Sequence, residues 1–248
     1  MPKEKTVCAI LFLLFLAACG GGGGGGSGSS SASSQGPVAS TLDFPVAATV
    51  LSVATTFSSH SVSTIDAQGN TDVLTVSYTP GPSVYDPLIY NSALSTFTQT
   101  DSLAINGTTT STSSVEVFYS TSPFLVWGSI NGSSGQNTMR ISVQTQLPTT
   151  AKVGATGAIY SGSNYINNST LFPDTQAANW SLLPDTMTTA WLCLSTTETQ
   201  ALSLSGPTTE ADCVRIDQTG AVSGFKVEMT VPSNCTAYSC SSTTVTYQ

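Results

Sequence analysis

The chain reads as an all-β protein, an antiparallel sandwich or barrel arranged as two β-lobes. Three observations predict this. Apolar residues recur with period two through most of the sequence, the signature of half-buried strands. Turn dipeptides such as Asn106-Gly107 and Asn131-Gly132 separate these runs, and Asn-Gly is the strongest short-range hairpin signal. No stretch carries a 3.6-residue apolar stripe with caps; at most, a single helical turn is expected near Thr175 to Ala178.

The elements follow in chain order. "DAQGNTD" (66 to 72) is predicted to be a hairpin loop, and Leu74, Val76 and Tyr78 alternate with Thr75 and Ser77 beyond it. Val115, Val117 and Tyr119 form a second alternating set. Met139, Ile141 and Val143 form a third, against Arg140, Ser142 and Gln144. The texture changes at "QLPTTAK" (146 to 152), which places the seam between lobes near Pro148 and gives lobes of 41–147 and 148–248. "AWLCL" (190 to 194) is apolar at both phases and reads as a central strand, with Trp191 in the core. "DQTGAVSG" (217 to 224) is another loop, and Phe225, Val227, Met229 and Val231 alternate with Lys226, Glu228 and Thr230. Short strands at this spacing define a sandwich or a barrel.

The N-terminus carries an address. Lys3 and Lys5 precede an apolar run from Val7 to Leu16, within the length of a signal-peptide core and short of the roughly 20 residues of a membrane span. Leu16, Ala17, Ala18 and Cys19 follow. This resembles the lipobox of bacterial lipoproteins. The resemblance implies cleavage of residues 1–18 and acylation of Cys19, by a diacylglycerol on sulfur and a fatty acyl group such as palmitate on the new amino group. The glycine after the cysteine, where an aspartate would favour the inner membrane, implies the outer membrane or cell envelope, with the domain facing the periplasm or the exterior. Several acyl chains make such an anchor persistent, at about 0.8 kcal/mol for each buried CH₂. Residues 19–40 are almost wholly Gly, Ser and Ala, a composition expected to form a disordered tether spanning on the order of 25 Å.

Charge narrows the partners. Residues 20–248 hold four basic and thirteen acidic side chains, a net charge of −9. Phosphate recognition needs clustered Lys and Arg, so nucleic acid is excluded, as is docking on anionic lipid through a basic patch. The membrane is expected as a partner only through the N-terminal lipid. Cys193, Cys213, Cys235 and Cys240 remain once Cys8 leaves with the leader and Cys19 is acylated. An even count in an exported domain predicts two disulfides among three possible pairings. The pairing 193–213 with 235–240 is favoured, because each bridge then joins neighbouring strands or closes one loop. Zinc knuckles need paired C-x₂₋₄-C or histidine partners, and His60 is far away in sequence.

Candidate chemistry is sparse. A Ser-His-Asp triad would have to use His60, the lone histidine, and there is no G-x-S-x-G elbow; His60 is expected on a strand surface. Asp66, Asn70 and Asp72 place three oxygen side chains in one loop but do not match a calcium loop. Asp86, Asp174 and Asp185 adjoin prolines, where acids serve turn geometry. A glycosidase needs two carboxylates at a set separation, and no spacing rule selects a pair among thirteen. Trp127, Trp180 and Trp191 could stack on sugar rings but more often fill β-cores; Trp180 is the candidate for exposure. Neither a P-loop nor a dinucleotide fingerprint occurs, so no cofactor and no metal is expected. The expectation is a lipid-anchored, non-catalytic envelope module that binds a protein or glycan partner or shapes the surface. The alternatives are a hydrolase using a carboxylate pair and a barrel holding a small ligand. A cavity containing acids would favour the alternatives; a packed interior would favour the first.

Overall fold

The computed structural model describes residues 40–56, 58–66, 68–85, 93–131, 137–166, 170–200, 207–233 and 241–248. Cys19, most of the tether, Asp86, Cys235 and Cys240 lie outside the described residues. A short strand β1 (Asp43–Pro45) leads into the helix α1 (Ala47–Thr55). Strands β2 (Ser58–Ile65), β3 (Thr71–Pro80), β4 (Val84–Tyr85), β5 (Ala93–Ile105), β6 (Thr108–Thr121), β7 (Phe124–Asn131) and β8 (Asn137–Gln144) follow. After β9 (Thr150–Lys152) come β10 (Thr156–Ile166), β11 (Thr170–Pro184), β12 (Thr189–Gln200), β13 (Thr208–Asp217), β14 (Val222–Ser233) and β15 (Ser241–Tyr247).

Antiparallel pairing runs through one sheet in the order β15-β14-β13-β12-β11-β10-β8-β7-β6-β5-β3-β2, with β4 alongside β5. Nearly every neighbour in space is the next long strand in the chain, so the meander needs no crossover. The sheet curls until its edges meet. Gln248 N–H donates to the Ser63 carbonyl at 3.2 Å, and His60 of β2 stacks on Phe225 of β14 with ring centroids 4.6 Å apart. The all-β expectation therefore resolves to a nearly closed up-and-down barrel, which removes the sheet edges that invite aggregation. The two lobes expected on either side of Pro148 share this sheet, because β8 and β10 pair across that position.

Period two explains which face each strand shows the interior. Leu74, Val76 and Tyr78 are buried along β3, while Thr71, Thr75, Ser77 and Thr79 point outward. Hydroxyl pairs link neighbouring strands on the outer wall: Ser59 with Ser77, Ser61 with Thr75, and Thr230 with Thr244. Among the described residues no helix is long and apolar enough to cross a membrane. The β5–β6 turn places Asn106 at φ 49° and Gly107 at φ 79°, the two left-handed residues that a tight hairpin of this twist needs.

Three sequence expectations are corrected. Residues 175 to 178 continue strand β11 and form no helical turn. The helix lies instead at 47–55, where the N-cap residue Val46 and, within the helix, Val50 and Ala54 fall at i, i+4 and i+8 and are buried. Its β-branched residues are weak helix formers, and apolar residues surround most of it, so no polar face announced it. It forms because the barrel buries it. Its first amides lack a side-chain cap, and the N–H groups of Val46 and Ala47 donate instead to the carbonyls of Thr149 and Pro148. The second correction concerns Val143. A bulge shifts the β8–β10 register between Ser161 and Gly162, which turns Val143 out to 58% exposure. The close approach requires glycine there, since a Cβ on Gly162 would sit 2.5 Å from the Arg140 carbonyl oxygen. The third concerns Trp191. The β12 strand is central, flanked by β11 and β13, but Leu192 is the residue turned to the core. Trp191 is half-buried on the outer wall beneath the ammonium of Lys226, 5.2 Å from the ring centroid.

Candidate functional site

The barrel interior divides in two along its axis. At the end where the chain enters, α1 and the β1–β9 pair pack against Trp180, Leu182, Leu192 and Ile216. Trp180, flagged for exposure, is buried here. The opposite half is mixed: a second buried apolar cluster of Val62, Leu74, Val76, Leu103 and Val227 lies beside a group of polar side chains. Gln99 and Asp101 of β5, Glu198 of β12, Glu210 and Asp212 of β13 and Gln176 of β11 all face the interior. Between the halves lies a cavity of about 190 Å³, with Val50, Phe97, Val117, Phe124 and Ile159 among its apolar walls. Among the described residues its lining includes four carboxylic acids and no Lys, Arg or His.

Strand register builds the acid group. Asp101 shares a face with Leu103 and Phe97, and Asp212 shares one with Val214 and Ile216, because alternate residues of a strand point the same way. Tyr78 Oη donates to Asp212 Oδ2 at 2.8 Å. The Gln99 amide bridges the pair, donating to Asp212 Oδ2 at 3.2 Å and to Asp101 Oδ1 at 3.2 Å. Asp212 Oδ1 is out of contact with solvent and has no hydrogen-bond partner among the described residues. The Ser113 hydroxyl shares that condition; its residue is 6% exposed and pairs with Asp101 in the β5–β6 register.

Burial without a counter-cation shifts these groups together. Asp101 is pushed up to about 7, first by desolvation and then by the charge of Asp212. Asp212 is pushed up to about 6 by desolvation, held from rising further by the hydrogen bonds from Tyr78 and Gln99. Desolvation, then the charges of Asp212 and Asp101, raises Glu210 well above the ordinary carboxylate range. Burial also raises Tyr78 and takes Tyr160 to about 12, so both phenols stay protonated as donors. The protons of such a group belong to the set rather than to one residue.

The residues singled out in the sequence lie mostly elsewhere. His60 is half-buried at the seam against Phe225, and desolvation lowers its pKa. In the β2–β3 loop, Asp66 Oδ1 accepts from the N–H groups of Gln68 and Asn70, and Asn70 Nδ2 donates to Asp66 Oδ2. Those side chains build the turn, while Asp72 is buried on the inner face of β3. Asp174 is a buried strand residue rather than a turn residue. Asp185 pairs with Arg215 at 2.6 Å on the outside of the barrel. Burial there would raise its pKa, but hydrogen bonds from Thr189 and Arg215 outweigh it and hold the carboxyl below its usual value. Trp127 donates to Ser120 Oγ at 3.3 Å. The Cys193–Cys213 disulfide joins β12 to β13 at directly opposed positions. The cavity acids were overlooked because no motif spaces them. Their signal is phase: an acid in step with the apolar set of its own strand, as in Glu210, Asp212, Val214 and Ile216. Compared with family models, curated proteins and solved structures, the chain matches none.

Proposed function

We propose that this protein is a lipid-anchored lipoprotein of the cell envelope that binds a small molecule inside its barrel without transforming it. The observation that carries the binding reading is the cavity of about 190 Å³, which combines apolar walls with a few convergent polar groups, the general composition of a ligand site. The anchor rests on the lipobox at Leu16 to Cys19. The chain enters the barrel at Ser40, whose hydroxyl donates to the Met187 carbonyl in the β11–β12 turn, at the helix-plugged end. The tether is thus attached at the end of the barrel away from the acidic half, which leaves that half open to incoming ligand. The hydroxyl-rich outer wall is a second candidate surface, for the protein or glycan partner expected from the sequence.

One observation favours a second reading. Asp101 and Asp212 are adjacent carboxyls with separated, raised pKa values, which is how a hydrolase sets up an acid and a base. The shared Gln99 amide fits binding better, since it holds both carboxyls in one place instead of leaving one to carry a proton to substrate.

Two measurements test the proposal. Metabolic labelling with an alkynyl fatty acid is expected to mark the wild type and not Cys19→Ala; equal label in both would remove the anchor. Native mass spectrometry of protein released from the envelope is expected to show a small-molecule adduct that Val117→Trp, which fills the cavity, eliminates. Identical spectra for the two proteins would refute a ligand in the barrel.

A further inference from the structure

The geometry points to an organic cation as the ligand: an ammonium headgroup held by Asp101 and Asp212, with an apolar body lying toward Val117, Phe124 and Ile159. The inference rests on the proposal that the cavity is a binding site and specifies what fills it.

Charge balance is the first argument. Asp101, Glu198, Glu210 and Asp212 line one cavity, and none of the four described Lys and Arg side chains does: Arg215 pairs with Asp185, Lys226 with Glu228, Arg140 lies over the Tyr165 ring, and Lys152 is exposed on β9. Burying carboxylates without an opposite charge is costly, and a cation within a few ångströms is the strongest remedy. Hydrogen-bond supply is the second. The acids receive donors only in part: Tyr78 and Gln99 serve one oxygen of Asp212, and its other oxygen is buried and unserved. An ammonium brings three donors to a place with acceptors to spare. The third is the shape of the lining: Val115, Val117, Phe124 and Ile159 wall the same cavity and suit an apolar body attached to the charged head. Phe97 and Tyr78 both line the cavity with ring centroids 6.2 Å apart, and aromatic rings attract cations over their faces. An anionic ligand would meet repulsion from every ionised wall group, and a neutral alcohol would leave the charge uncompensated.

The test uses three probes with one tail and different heads: n-hexylammonium, hexan-1-ol and hexanoate. Each is titrated calorimetrically at pH 8 into the full chain carrying Cys19→Ser, and into the same chain with Asp101→Asn, Asp212→Asn or Val117→Trp. The expected result is hexylammonium binding at least about tenfold tighter than hexanol, with hexanoate weakest. Asp101→Asn and Asp212→Asn should each weaken the amine about tenfold or more and leave hexanol unchanged, which an unfolded variant could not do. Val117→Trp should weaken amine and alcohol alike. Hexanol or hexanoate binding as tightly as the amine would overturn the cation inference and leave the cavity reading standing. Binding of all three that Val117→Trp does not weaken would overturn both, as would no binding by any probe. Calcium chloride displacing the amine at equal concentration would replace the organic cation with a metal ion and overturn the inference.

Discussion

The two halves of the barrel interior are built from the same strands and differ in what each strand places inward. Along β13, Ile216 and Val214 pack the helix-plugged half, and two steps further Asp212 and Glu210 line the acidic half. β12 does the same, running from Leu192 and Leu194 to Thr196 and Glu198. The helix-plugged half holds the larger of the two buried apolar clusters and so the greater share of stabilising burial. The acidic half withdraws Asp101, Glu210 and Asp212 from water with no Lys or Arg among the described residues lining the cavity, so it lowers stability whenever those groups ionise. One fold thus carries a region that holds it together and a region under electrostatic stress. Stress of this sort is a common mark of a site kept for use rather than for stability.

Truncating the packed half should give the largest effect. Trp180→Ala removes a buried ring beside Gly157 and Leu182 and is expected to cost about 3–5 kcal/mol in urea unfolding. A loss under about 1 kcal/mol would mean the two halves do not differ as argued. Reducing Cys193–Cys213 comes next: the bridge closes a 20-residue separation, and its removal should cost about 3 kcal/mol in the chain-entropy model, read as a lower unfolding midpoint in reductant.

The third prediction targets the acidic half through pH. Facing one another there are Tyr78 from β3, Asp101 from β5, Glu198 from β12 and Glu210 and Asp212 from β13. Asp101, Asp212 and Glu210 have folded values above their unfolded ones, so the folded state holds more protons. Their contribution is fully present below about pH 4 and is lost as pH rises through about 6 and then about 7. Asp66, Asp185 and Asp217 are shifted downward and oppose this only as pH falls through the acid range below their ordinary values. His60, lowered by desolvation, takes up a proton more readily unfolded and weakly offsets the gain as pH falls below 6.5. The barrel should therefore be more stable at pH 5 than at pH 8, by about 2–3 kcal/mol, and Asp101→Asn should narrow the difference while Asp212 and Glu210 sustain the rest. Equal stability at the two pH values would show that the acids are not desolvated. The smallest effect belongs to the outer wall. Arg215→Leu breaks a partly exposed ion pair with Asp185 and should change stability by less than about 1 kcal/mol, with ligand binding unaltered.

Much of this architecture was readable before any coordinates. Alternation of apolar and hydroxyl residues assigned the inner faces of β3 and β14, and Asn106-Gly107 placed a hairpin where the chain has one, because both signals depend on backbone geometry within a few residues. Opposed positions for Cys193 and Cys213 followed from the same local logic. Val143 escaped it, since a single extra residue in the ladder reverses every later side chain. Helix α1 escaped too, because its sequence does not favour a helix in water and only the surrounding barrel supplies the burial that forms it.

The sequence alone determined the all-β class, the acidic balance, the turn positions and the expectation of an anchored, exported chain. Each of these comes from composition or from neighbours in the chain. The closure of the sheet into a barrel, the helix within it and the meeting of Asp101 with Asp212 were decided by tertiary structure. Asp101 and Asp212 are separated by more than a hundred residues, and their encounter depends on how the intervening strands close around a lumen. Period two can turn each acid inward on its own strand; only the curvature of the whole sheet can set one opposite the other.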